Sequence, residues 1–193
     1  MAETTKNKVK YGLENVYYAK LTGETYAIPV PIEGAVSISL KASGDTAPVY
    51  ADNVEYFSFE TNNGYDGSIE FVLIPDDFKT DILGEVVDKN GVTSESSDAK
   101  VSEFALLFQF KGDLAEKRHV LYRCKCTRPN IESETVKEKT ENKNESLDIK
   151  CRPVISGVLK HQIKANVSNT AEQKAIYDAW FTKVYDGTVI ASE

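Results

Sequence analysis

The sequence predicts a mainly β chain: an antiparallel β-sandwich or barrel with a flanking α-helix at about residues 170–185. Three observations carry that reading. Apolar and polar residues alternate with period two in one segment after another. Clusters of Gly, Asn, Asp and Pro separate these segments, as in chains of antiparallel strands and not of helical crossovers. One stretch late in the chain switches to helical spacing.

About seven strands follow from the alternation. In AVSISL, Val36, Ile38 and Leu40 face one way and Ser37 and Ser39 the other. EYFSFE sets Phe57 and Phe59 opposite Tyr56 and Ser58, and SIEFVLIP puts Ile69, Phe71 and Leu73 on one side. EFALLFQFK carries Phe104, Leu106, Phe108 and Phe110 on one face, with Gln109 and Lys111 on the other. KRHVLYRCKC, SLDIKC and GVLKHQIKANV continue the series.

Two segments break the period. PDDFKTDILG suits a short helix, with Pro75 in its first turn, Asp76 and Asp77 at its positive end and Gly84 at its stop. NTAEQKAIYDAWFTKVYDG predicts the flanking helix. Thr170 and Gln173 have capping-box spacing, and Ala175, Ile176, Ala179, Trp180 and Val184 form one stripe, with Trp180 as its packing anchor.

Three stretches read as arms or loops around a single domain spanning 1–193. The first ten or so residues are polar and unpatterned, a flexible N-terminal arm. Ala42 to Asn53, ASGDTAPVYADN, reads as a long connecting loop carrying Gly, Pro and two Asp, of the kind that is functional or mobile. Ile131 to Ser146 is a run of mixed charge, read as a solvated hairpin extension or disordered loop. Ordering such projections costs about 1–2 kcal/mol per residue, which neighbouring copies could offset.

Composition narrows the function. The 193 residues carry 23 Lys and Arg against 30 Asp and Glu, a formal net charge of −7. That sign argues against a nucleic-acid reader, whose affinity comes mainly from cations. The N-terminal MAETTKNKVKYGL has no apolar core of a secretory signal. FVLI and FALLF, the longest apolar runs, fall far below the ~18 residues of a membrane span. An odd count of three cysteines without an export signal points to reduced thiols.

Cys124, Cys126, Cys151 and His161 amount to a zinc ligand inventory, but the spacing speaks against it. Structural zinc sites favour two residues between paired cysteines, and here there is one. On a strand Val120, Tyr122, Cys124 and Cys126 share a face, opposite His119, Leu121, Arg123 and Lys125, while Leu147, Ile149 and Cys151 share a face on the next. The cysteines therefore read as small core hydrophobes. His161, in phase with Leu159, Ile163, Ala165 and Val167, reads as a core or interface histidine. No GxSxG, HExxH, phosphate loop or GxGxxG occurs, so an enzyme is not expected, nor a metal or cofactor.

The order of several motifs resembles the major tail-tube proteins of long-tailed, non-contractile phages of Gram-positive bacteria. The pieces are KVKYGLENVYYAKLT, PIEGAVSISL, PVYADNVEYF, NNGYDGSIEFVLIPDDFKTDILG, LLFQFKGD and YRCKCTRPNIESETVKEKTE. The resemblance covers nearly the whole chain and implies a structural virion protein of the tail, assembled in the host cytoplasm. Its copies would form hexameric rings stacked into a tube for DNA ejection. It implies tape-measure and tail-terminator proteins as further partners, DNA passing through the tube without specific binding, and no membrane. The acidic net charge fits a negative lumen along which DNA slides without sticking. By position Ala42–Asn53 corresponds to the loop contacting the next ring, with Tyr50, Asp52 and Asn53 as contact residues. A different class, a monomeric β-sandwich module gripping a ligand or host surface through that loop, fits the same features.

Overall fold

The computed structural model describes residues 11–133, 135 and 143–187. The N-terminal arm and the middle of the charged stretch 131–146 lie outside the described residues.

The chain is mainly β and antiparallel. In order it forms β1 (Leu13–Thr22), β2 (Thr25–Tyr26), β3 (Val30–Pro31), β4 (Ala35–Ser43), β5 (Thr46–Ala51), β6 (Val54–Glu60) and β7 (Gly64–Phe71). After these come α1 (Asp76–Phe78), β8 (Val86–Val87), β9 (Thr93–Ser94), β10 (Phe104–Phe110), β11 (Arg118–Cys126), β12 (Glu145–Arg152), β13 (Lys164–Val167) and α2 (Lys174–Ala179). Nine strands make one sheet in the order β2-β1-β10-β11-β12-β7-β4, with β13 beside β11 and β3 beside β1. The sheet ends approach each other, β4 lying near β1, a curl compatible with the expected sandwich or barrel. The β5–β6 and β8–β9 hairpins stand outside this sheet.

Apolar residues on both faces of the sheet build two core layers. Phe104, Leu106 and Phe108 of β10 enter the first, with Ile69, Phe71, Leu147, Ile149 and the residues after β7. Ala105 and Leu107 enter the second, beneath α2. That double burial explains why β10 reads FALLFQF, almost continuously apolar.

The period-two reading of β11 fails at one point, with a clear cause. A register shift against β10 places an extra residue of β11 between Leu121 and Cys124. Such a bulge reverses which face later residues occupy. Val120 and Tyr122 therefore face the second core, while Leu121, Cys124 and Cys126 face the first. The expected grouping of Tyr122 with the cysteines is corrected accordingly. All three cysteines are buried free thiols.

The helices are shorter than the sequence suggested. After Pro75, which is the cap and not the first turn, α1 runs into a π-helical turn at Lys79–Leu83 and stops at Gly84, whose φ is 81°. Tyr18 Oη donates to Asp81 at 2.9 Å and packs edge-on against Phe78, tying this segment to β1. A 3-10 turn at Ala171–Gln173 precedes α2, which spans six residues and not the whole of 170–185. The capping box does not form: Thr170 caps nothing with its side chain, and Gln173 Oε1 accepts from the Ser168 N–H. Ala175 is exposed, and Tyr177 takes the buried place. Trp180 is the anchor the spacing indicated, 2% exposed, with Nε1 donating to His119 O at 3.4 Å. Arg118 lies over the Tyr177 ring and donates to the Tyr177 carbonyl, holding α2 to β11.

Two further expectations change. β7 ends at Phe71, so Leu73 is exposed and Ile74 turns inward. Only Lys164–Val167 of GVLKHQIKANV is strand. His161 sits before it in an exposed turn at φ 70°, not in the core.

Candidate interaction surface

The stretch read as a long loop, Ala42–Asn53, is the end of β4, a narrow neck and the first strand of a hairpin. Its neck is Gly44–Asp45 against Thr61–Asn63. Asp45 N–H donates to Thr61 Oγ1 and Thr61 N–H to Asp45 O, both at 2.9 Å. Pro48 made the segment look like a loop. It is tolerated because, among the described residues, β5 pairs only with β6, which leaves its other edge without a ladder there.

Asp52 and Asn53 form the hairpin turn, at φ 53° and 64°. Two successive positive φ values define a type I′ turn, which matches the twist of a hairpin and which Asp and Asn tolerate best after glycine. The ADNV motif thus has a backbone reason to exist. Tyr50 stands beside the turn opposite Glu55, and Asp52 and Asn53 occupy the exposed tip. The three candidate residues are therefore brought together.

The pairs Ala47↔Phe59 and Val49↔Phe57 place four apolar residues on one face. Phe57 and Phe59 pack edge-on at 4.8 Å. A bulge beyond Val49 leaves Tyr56 as an extra residue on β6. Yet the hairpin is covered by nothing among the described residues: Phe57, Phe59, Tyr50 and Tyr56 are 54%, 57%, 67% and 78% exposed. A second apolar group lies at the opposite end of the β4–β7 ribbon, where Val36, Val72 and Leu73 are also exposed. Exposed apolar groupings of this kind mark interaction sites.

Among the described residues, the sheet face opposite the first core is also bare over β4, β7 and β12. Aligned across the strands are Ser37, Glu70 and Ser146, then Ser39, Ser68 and Asp148, then Lys41, Asp66, Lys150 and Lys125. Ser37 Oγ donates to Glu70 Oε2 at 2.9 Å. Arg152 Nη2 lies 2.6 Å from Asp66 Oδ1, and this guanidinium holds the Asp66 carboxyl below its ordinary range. The face is polar, mixes serines with charged side chains of both signs, and is close to balanced in charge.

A cleft of about 360 Å³ between the β1–β2 turn, residues 154–159 and Lys183–Asp186 has a floor ion pair already satisfied within itself. Arg123 Nε and Nη2 reach the Glu103 carboxylate at 2.8 and 2.7 Å. No helix is long and apolar enough to cross a membrane among the described residues. These features define a class: an antiparallel β domain whose distinguishing surfaces are an uncovered apolar hairpin and a bare polar sheet face. No known family model matches the sequence, and no curated protein matches it significantly.

Proposed function

We propose that this chain is a self-assembling structural protein, the subunit of a phage tail tube built from stacked hexameric rings. The uncovered β5–β6 hairpin carries the reading, because its apolar strip gains nothing in a solitary molecule. A second copy is its best partner, since the β4–β7 ribbon is apolar at both ends. The hairpin of one copy docks on Val36, Val72 and Leu73 of the next. A contact between two different surface patches is heterologous, so it repeats from copy to copy and does not stop at a dimer. In this reading Tyr50, Asp52 and Asn53 meet the next ring at the hairpin tip.

The polar face of β4, β7 and β12 is assigned to the lumen. Its Lys41, Lys125, Lys150 and Arg152 stand against Asp66, Glu70 and Asp148, so it offers a polyanion neither a cationic track nor strong repulsion. A lumen built from this face is close to neutral and not acidic, whatever the overall charge of the chain. Tape-measure and tail-terminator proteins would bound the tube.

Light scattering over a concentration series tests the hairpin's role. Wild-type protein is expected to grow into large particles, and the Phe57→Ser, Phe59→Ser variant to remain small while keeping its thermal transition. Equal growth of both would sink the hairpin contact. Saturable binding of an unlike macromolecule with no self-association would favour the monomeric binding module.

A further inference from the structure

We propose that Cys124 and Cys151 close into a cross-strand disulfide when the protein meets an oxidant, clasping β11 to β12. The two residues are register partners, and their sulfurs stand 2.9 Å apart in the first core layer. The ladder places them where such a bond can form. Thr127 N–H donates to Asp148 O, one step beyond the register pair Cys126↔Ile149. Antiparallel pairs alternate, so 127–148 and 125–150 are hydrogen-bonded and 124–151 is a non-hydrogen-bonded pair. At such a pair the α-carbons are about 4.5 Å apart, inside the roughly 4.4–6.8 Å span of natural disulfides. Closing the sulfurs to about 2.05 Å takes less than about 1 Å of movement.

Cys126 is the odd thiol. It faces Ile149, two positions along the strand, and burial pushes its thiol up to about 12. Burial also raises the Cys124 thiol, followed by its contact with Cys151. Cys124 thiolate is therefore scarce in the closed ladder, and oxidation starts while β11 and β12 are open. With a small disulfide such as oxidised glutathione, the Cys124 thiolate attacks one sulfur and releases one glutathione thiol. The Cys151 thiolate then attacks the mixed disulfide and releases the second. Two electrons pass to the reagent, and the two protein thiol protons end on the two released thiols.

The test is to refold the protein from denaturant in a glutathione redox buffer, block remaining thiols with iodoacetamide, and map the peptides by mass. The expected product has one alkylated cysteine, Cys126, a Cys124–Cys151 cross-link and a Tm raised by about 5–15 °C over the reduced form. The Cys126→Ser variant is expected to form the same cross-link. Three alkylated cysteines, a bond that includes Cys126, or a cross-linked form that melts below the reduced one would each overturn the proposal.

Discussion

Gly44 and Thr61 meet at the neck of the β5–β6 hairpin so closely that a Cβ on Gly44 would stand 2.1 Å from the Thr61 carbonyl oxygen. That oxygen belongs to backbone and has no flexible way out. Gly44→Ala is therefore expected to cost about 1–3 kcal/mol, the range of overpacking at a fixed site. Denaturant unfolding measures it, and a loss below about 0.5 kcal/mol would show that the neck is not held in this geometry.

The hairpin tip separates a turn role from a contact role. Asn53→Gly keeps a residue suited to φ 64° and is expected to leave stability unchanged within about 0.5 kcal/mol. Asp52→Val, which forces a β-branched residue to positive φ, is expected to destabilise the hairpin by about 1–2 kcal/mol. Amide exchange across β5 and β6 reads both. Equal protection in the two variants would contradict the type I′ turn.

Trp180 fills the second core between α2 and the sheet, stacked on Tyr185 at 5.8 Å. Trp180→Ala is expected to cost about 3–5 kcal/mol in denaturant unfolding, as a large buried aromatic does. A loss under about 1 kcal/mol would mean that α2 is not anchored there.

Much of this fold was legible because burial imposes a period. The alternation in SIEF and SLDIK follows directly from strands with one face on the core. In AVSISL a bulge at Val36 leaves that residue exposed and gives the core-facing place beside Ile38 and Leu40 to Ala35, correcting the expected grouping of Val36 with them. The faces of β11 were not legible, since nothing in LYRCKC marks where the extra residue sits. Pro48 and the polar residues before it hid β5, because a strand with one edge unpaired among the described residues escapes the usual ban on proline. The uncovered hairpin was half legible: the alternation in EYFSFE marked β6, but its partner β5 and the turn at Asp52–Asn53 were read as one long loop, and exposure of Phe57 and Phe59 depends on where the neck points. His161 kept phase with a strand that begins only at Lys164.

Asp66 and Arg152 give a pH prediction. The Asp66 carboxyl is lowered by its Arg152 hydrogen bond first, so the pair stabilises the fold above the unfolded value, near 3.9. That contribution is lost as pH falls through the lowered folded value. Carboxyl NMR is expected to show Asp66 titrating below 3.9, and Arg152→Met is expected to move it upward. An Asp66 titration unmoved by Arg152→Met would contradict the pairing.

Negative-stain microscopy of concentrated purified protein, with sedimentation of the same sample, reads the proposed self-assembly without an intermediary. Rings or tubes are expected, sedimenting far above the 21.4 kDa chain. A single 21.4 kDa species at every concentration and salt condition, with no rings or tubes on the grid, would contradict it.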